Sequence, residues 1–210
     1  MRASHWPLLP AALLAALVFN SCADIDARLT VASSGSCDLR LRYAVSKMVV
    51  SLDAVDSGRA ILPFPVSRAA FDRAATDTGG TELLSYAQKE TDRDLVVDAE
   101  LRFASLASLS KFLSPQGARA AYAEAGGQRS FRVVLAEGRA PGGSASDPDL
   151  VRFVDAAFAP YTVSIAVRLP SPVKSASAGK ISRDGLEVDY TSPVSAIAKS
   201  ETPLILDIGW

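Results

Sequence analysis

The residue whose setting points most directly to chemistry is Cys22, one of only two cysteines in the chain. It follows Ser21 and an apolar run from Leu8 to Phe19. A cysteine thiolate is a nucleophile, and at the end of an export signal it can accept a diacylglyceryl group before the signal is cut. The spacing therefore predicts that Cys22 is lipidated and becomes the first residue of the processed protein.

The segment before Cys22 has the parts of a bacterial lipoprotein signal. Arg2 supplies the positive charge, and the 12-residue run 8–19 supplies the apolar core. That run is too short for a membrane-spanning helix, which needs about 20 residues. We therefore expect residues 1–21 to be removed and residues 22–210 to form a single lipid-anchored domain in the cell envelope, in the periplasm or at the cell surface.

The match to the lipobox pattern of such signals is partial. Ser21 and Cys22 fit the pattern, whereas Phe19 and Asn20 depart from it. Two alternatives stay open: an ordinary signal peptide that is cut near Ser21 or Ala23, and a retained amphipathic anchor. If Cys22 is processed fully, it carries a diacylglycerol and an N-acyl group, and stable anchoring requires at least two such attachments.

Removal of the signal narrows the possible chemistry. The only histidine, His5, lies within it, and the remaining chain has 21 basic and 23 acidic residues, a net charge of −2. This balance argues against nucleic acid as a partner. Without histidine, the processed chain cannot form a Ser-His-Asp or Cys-His catalytic site or a His-containing zinc site.

The other candidate sites are weak. The S-x-x-K pattern of Ser-Lys enzymes occurs three times, without its accompanying motifs, at Ser108 with Lys111, Ser171 with Lys174, and Ser177 with Lys180. Four carboxylates, Asp92, Asp94, Asp98 and Glu100, could form a loose calcium site or a solvated face. Cys37 is either an unreactive small residue, or a redox thiol or the site of an intermolecular disulfide. We expect no catalytic residue, no metal site and no cofactor beyond the lipid on Cys22, and therefore no enzyme.

Apolar residues recur at every second position in several stretches, which is typical of antiparallel strands with one buried face. The stretches are Ala27 to Val31, Leu39 to Val45, Leu95 to Phe103, Phe131 to Leu135, Tyr161 to Leu169, Leu186 to Tyr190 and Leu204 to Trp210. The first two predict a hairpin. Leu29 must face Leu41 or Leu39, and we expect Leu41, with Ser34, Gly35 and Ser36 as the loop.

Helical spacing is found between these strands. The predicted helices follow Ser67 to about Thr76, span Ser105 to Leu113 and Ala118 to Ala125, and run from Asp147 to Phe158. The order predicts an α+β domain, in which helices pack on one face of a curved, mainly antiparallel sheet.

Two sets of residues could bind a ligand. Arg28, Arg40 and Arg42 fall on the outward face of the predicted hairpin, with Arg28 opposite Arg42, and could contact anionic lipid headgroups. The alternative is a solvated face that nearby acids balance. Four aromatic residues, Phe71, Phe112, Phe153 and Phe158, could line an apolar pocket between the sheet and the helices, or could simply belong to the core.

The order of these elements resembles the LppM-like family of bacterial envelope lipoproteins. The most specific motifs are Arg168-Leu169-Pro170, the pair Gly179 and Gly185, and Val188-Asp189-Tyr190. The chain has Ala178 before Gly179, where the family often has Asn. The resemblance implies an envelope domain without established enzymatic activity and with a possible affinity for lipids or glycolipids.

Two functions follow from these patterns. The first is a structural, interaction or adaptor domain of the envelope, whose partners are membrane lipid through Cys22 and another envelope protein. The second is a lipid- or glycolipid-binding module with an apolar pocket. A filled core favours the first function, and a large apolar cavity favours the second.

Overall fold

The structure is a computed structural model that describes residues 23–47, 65–114, 119–137, 161–198 and 200–210. The elements within these ranges are β1 (Ala23–Val31), β2 (Cys37–Ser46), α1 (Arg68–Thr78), β3 (Thr81–Glu90), β4 (Asp94–Phe103), α2 (Leu106–Leu113), β5 (Ala120–Ala125), β6 (Gln128–Ala136), β7 (Thr162–Arg168), β8 (Ser175–Ala176), β9 (Lys180–Ile181), β10 (Glu187–Pro193), α3 (Val194–Ala198) and β11 (Leu204–Gly209). Cys22, and the helix predicted from Asp147 to Phe158, lie outside the described residues.

The described strands form two sheets that share one apolar core. The larger sheet has the order β3-β4-β2-β1-β7-β10-β9, and the smaller has the order β5-β6-β11-β8. All neighbouring strands run antiparallel except β1 and β7, which run parallel. Buried residues of both sheets, such as Leu41 and Ile208, belong to the same cluster. The predicted α+β class with a mainly antiparallel sheet is confirmed, with two sheets in place of one.

The alternating sequence of β2 shows why the larger sheet has two different faces. Leu39, Leu41, Tyr43 and Val45 are all buried, while Arg40 and Arg42 between them are exposed. Burying one large apolar side chain contributes about 1.5 to 3 kcal/mol, so turning the strand over would be very costly. The apolar residues thus fix which side of the sheet carries the arginines.

The predicted hairpin forms, but its predicted register is wrong. Leu29 lies opposite Leu39 rather than Leu41. The loop comprises residues 33–35 and ends on Gly35, whose φ of 88° lies in the left-handed region. A three-residue hairpin loop commonly needs such a residue at its third position, and glycine adopts it without strain. The glycine therefore sets the register. It differs from the predicted register by two residues, so each side chain stays on the face of the sheet that was predicted for it.

The predicted helix from Ala118 to Ala125 is also wrong, because Ala120–Ala125 is strand β5. Gly126 and Gly127 have φ values of 58° and 74° and connect β5 to β6 through a two-residue turn. Two consecutive glycines with positive φ are typical of a tight hairpin. Pairing with β6 and burial of Ala120 thus override the helical preference of alanine.

Helices α1 and α2 follow their sequence signals. The side chain of Ser67 accepts a hydrogen bond from the Ala70 amide at 3.2 Å, and that of Ser105 accepts one from the Ser108 amide at 3.1 Å. These caps accept hydrogen bonds from backbone amides of the first turn, which have no acceptor within the helix. Helix α1 contacts β3, and α2 contacts β4 and β5. Among the described helices, none has the length and apolar character needed to cross a membrane.

Candidate functional site

Five adjacent strands of the larger sheet present a continuous layer of charged side chains on the side opposite the core. Side chains alternate across a strand, so the neighbours of buried residues point outward together. We call this layer the charged face; its members are Asp26, Arg28, Asp38, Arg40, Arg42, Asp98, Glu100, Arg102, Arg168, Glu187 and Asp189.

The three arginines predicted for the outward face all lie on it, but they pair differently from the prediction. Arg28 lies directly opposite Arg40, while Arg42 lies opposite Asp26. The expected Arg28 and Arg42 pair was wrong because it followed from the wrong hairpin register. Like charges that face each other across two strands are mildly destabilising unless other groups offset them.

Each of these arginines has a carboxylate partner. The Nε atom of Arg28 lies 3.2 Å from Asp26 Oδ1, and that of Arg40 lies 3.2 Å from Glu100 Oε1. Arg42 Nε is 3.9 Å from an oxygen of Asp98. The hydrogen bond to Asp26 raises the pKa of Arg28, and the charge of Asp26 adds to this effect. Exposed ion pairs of this kind contribute little stability, but they balance the charge of the face. Headgroup contact by the three arginines stays a prediction.

The charged face contains two shallow recesses. The first has a volume of about 300 Å³ and lies over β1, β2 and β4, where the three arginines and their carboxylate partners surround it. The second has a volume of about 420 Å³ and lies over β1, β7 and β10. Ala166 lies between Arg28 and Asp189 in one row of neighbouring residues. With strands about 4.8 Å apart, this small residue separates the two charged groups by roughly 10 Å and creates the second recess.

One side of the second recess is held by a fixed loop. Arg168 pairs with Asp184 at 3.2 Å and with Glu187 at 3.3 Å. Asp184 also accepts hydrogen bonds from the Ser182 hydroxyl at 2.5 Å and the Leu186 amide at 3.1 Å. The bond from Ser182 is the main reason that the pKa of Asp184 is lowered, with the Leu186 amide next. These contacts therefore orient the Arg168 side chain beside the recess.

Of the four aromatic residues predicted to line an apolar pocket, Phe71 and Phe112 lie in the core and not on the charged face. Phe71 is 0% exposed, and its ring centroid lies 5.7 Å from that of Tyr86. Phe112 is 8% exposed and meets the ring of Phe103 edge-on at 5.4 Å. Both are enclosed by other core side chains. Phe153 and Phe158 lie outside the described residues, so the apolar lining as a whole stays a prediction.

In two of the three S-x-x-K patterns, the serine bonds to groups other than the lysine. Lys111 Nζ donates to the Thr78 carbonyl at 3.3 Å, while the hydroxyl of Ser108 lies 3.2 Å from that of Ser105. The Ser177 hydroxyl donates to the Ile205 carbonyl at 2.7 Å and accepts from the Asp207 amide at 2.8 Å. These serines stabilise a helix cap and a strand connection.

Cys37, Asp98 and Glu100 take structural positions. Cys37 is buried, and its desolvation, followed by the charge of Asp38, raises its pKa to about 12. The thiol is therefore protonated at neutral pH and a poor nucleophile. Asp98 and Glu100 lie on the charged face and pair with arginines. Within the described residues, no cluster of three or more His, Cys, Asp or Glu side chains could hold a metal ion.

The second recess was missed by sequence reasoning, although β7 carries a signal for it. Ser164 and Ala166 are the two central outward residues of that strand, between Thr162 and Arg168, and both are small. A pair of small residues between strands with long charged side chains leaves space above the sheet. This signal becomes visible only when the neighbours of β7 are known.

The comparisons with known proteins concern the fold. No protein-family model matches the chain, and no curated protein matches it. Among solved structures, the chain is similar to the folded domain of LppM from Mycobacterium tuberculosis, determined by NMR. The two are 15% identical, the match covers 90% of each chain, and the TM-score is 0.46. The name LppM is that of the family that the sequence motifs resemble. The similarity between the two chains is one of fold.

Proposed function

We propose that the chain is a membrane-anchored bacterial envelope lipoprotein that acts without enzymatic chemistry, as an interaction or adaptor module. Its anchor is Cys22, and its binding surface is the charged face. The observation that carries the proposal is that five adjacent strands expose a charge-balanced surface with two recesses on one side of the sheet. The opposite side of the same strands supplies the core.

The charge pattern indicates the kind of partner. Positive and negative groups are interspersed on the face, with Arg28 and Arg40 adjacent and acidic residues around them, so a surface of one sign would meet both attraction and repulsion. Complementary patterns of charge favour the correct partner and disfavour others, even where they add little affinity. We therefore expect a polar partner with charges of both signs, most simply another envelope protein. The packing of Phe71 and Phe112 supports a surface-based function.

The anchor is tested by replacing Cys22 with alanine. We expect the wild type to incorporate a labelled fatty acid and to sediment with membranes, because each buried methylene contributes about 0.8 kcal/mol to membrane binding. The Cys22→Ala variant should lose the label and leave the membrane fraction. Replacing the other cysteine, Cys37, with serine is the matched control and should retain the label. Label that persists in the Cys22→Ala variant would exclude lipidation at this residue.

The binding surface is tested by photocrosslinking in cells. A photoreactive residue at Thr191, in the second recess, should form a protein adduct, whereas one at Asp77, exposed on α1, should form little. Arg28→Glu should reduce the Thr191 adduct on the order of tenfold by reversing one charge of the pattern. Arg73→Glu, which makes the same change on α1, should leave it unchanged. An adduct that consists only of lipid, or a protein adduct whose amount Arg28→Glu does not reduce, contradicts an adaptor function of this face.

A further inference from the structure

Strand β1, which follows Cys22, is paired with its neighbours from its first residues. Strand β1 begins at Ala23, which pairs with Val45, and the next residue, Asp24, pairs with Ala44. On its other side, Asp24 Oδ1 accepts hydrogen bonds from the amide and the hydroxyl of Thr162, at 3.0 and 2.8 Å. The sheet therefore starts at the residue after Cys22. Because consecutive Cα atoms are only about 3.8 Å apart, this connection keeps Cys22 close to the end of the sheet.

The registers show which other parts of the molecule lie at this end of the sheet. Ser46 of β2 pairs with Asp94 of β4, and Pro193 of β10 pairs with Thr162. The exposed turn 91–93 and Lys47 close the same end, where the Lys47 amide donates to the Arg93 carbonyl at 2.9 Å. We call Lys47, residues 91–93, Thr162 and Pro193 the anchor edge.

We propose that the anchor edge lies against the lipid surface and that the strands of the larger sheet stand away from it. This inference rests on the proposed lipidation of Cys22. The short connection keeps the anchor edge at the membrane, and the charge-balanced face has little to gain electrostatically by turning toward anionic lipids, because each of its basic groups near the surface brings an acidic one with it.

This orientation separates the charged face from the headgroups. With about 3.3 Å per strand residue, Arg42, opposite Asp26, lies roughly 10 Å from the anchor edge, and Arg28 and Arg40 lie roughly 17 Å from it. The Debye length is about 8 Å at physiological ionic strength, so the latter two are largely screened from the lipid charge. The face is then free to receive a polar partner from the side.

The orientation is tested with the lipidated protein in vesicles of phosphatidylethanolamine and phosphatidylglycerol that contain headgroup spin labels. A fluorophore is placed at Asp92→Cys in the anchor edge, or at Ser33→Cys in the β1-β2 loop, both of which are exposed. Cys37 is buried, so we expect it not to react with the label. These positions lie roughly 30 Å apart along the strands, so we expect quenching at Asp92→Cys to exceed that at Ser33→Cys by at least about threefold.

A tether variant provides the control. A flexible Gly-Ser insertion of about ten residues between Cys22 and Ala23 adds roughly 17 Å of average reach and should make quenching at the two positions nearly equal. Equal quenching with the natural connection, in protein that remains bound to the vesicles, overturns the orientation while leaving the anchor intact. Protein that fails to bind the vesicles at all contradicts the anchor itself, which separates the two failures.

Discussion

Replacing Phe71 with alanine is expected to lower the free energy of unfolding by about 3 to 5 kcal/mol. The Phe71 ring is 0% exposed and packs against Tyr86, so its removal leaves a cavity that the surrounding strands and helix can fill only in part. Urea unfolding followed by circular dichroism measures this loss. Leucine at the same position keeps most of the volume and should cost roughly half as much.

The same measurement tests whether Phe71 lines an apolar pocket or belongs to a filled core. A residue that lines an empty ligand pocket is already uncovered on one side, so truncating it would cost clearly less than the roughly 3 to 5 kcal/mol of a fully enclosed ring. Such a result for Phe71 would contradict its place in a filled core and would favour an apolar binding pocket. Ile181→Ala is the surface control: Ile181 is 47% exposed, and its truncation should change stability by no more than about 0.5 kcal/mol.

The faces of the larger sheet could be predicted from the sequence because they depend on large, additive energies. In β2 and β4, every second residue is apolar, and each such residue is buried. Shifting either strand by one position would expose its whole apolar set. The outward position of Arg40 and Arg42 follows from the pattern of β2 alone, and that of Arg28 from the same alternation in β1, before any partner strand is known.

The register of the β1-β2 hairpin was not predictable in the same way, because it depends on a single turn. Pairing Leu29 with Leu41 or with Leu39 buries the same residues, so hydrophobicity does not distinguish the two choices. The difference lies in where the loop places Gly35. The structure has it third in the loop, with positive φ, and the backbone amide of Gly35 donates to the Ala32 carbonyl at 2.9 Å. Turn geometry was the signal that the prediction overlooked.

Strand β3 was missed for a different reason. Its pairing with β4 is regular on both sides of Leu83 and Ser85, where a bulge shifts the register. The extra residue, Leu84, interrupts the alternation of apolar and polar positions that predicts a strand. Its neighbour β4 stabilises it through backbone pairing with nine of its ten residues, an interaction between segments that the local pattern does not contain.

Replacing Gly179 with alanine is expected to cost about 2 to 4 kcal/mol of stability. Gly179 has a φ of 89°, and a Cβ atom there would lie 2.8 Å from the backbone oxygen of Asp189. Because that oxygen belongs to β10, no side-chain rotation can relieve the contact. Gly179 is also one of the two glycines on which the family resemblance depends, and this close approach is the physical reason for a glycine at this position.

Gly35→Ala separates the cost of the backbone conformation at Gly179 from the cost of the steric clash. Gly35 has nearly the same φ, 88°, but an added Cβ would meet nothing within 4 Å. Its replacement should therefore cost only the conformational term, about 1 to 2 kcal/mol. The remaining loss at Gly179 should appear together with faster amide exchange where Lys180 pairs with Asp189, since the clash pushes β9 away from β10. Equal losses for the two variants, with unchanged exchange at Lys180, would show that the Gly179 loop relaxes without disturbing the strand pair.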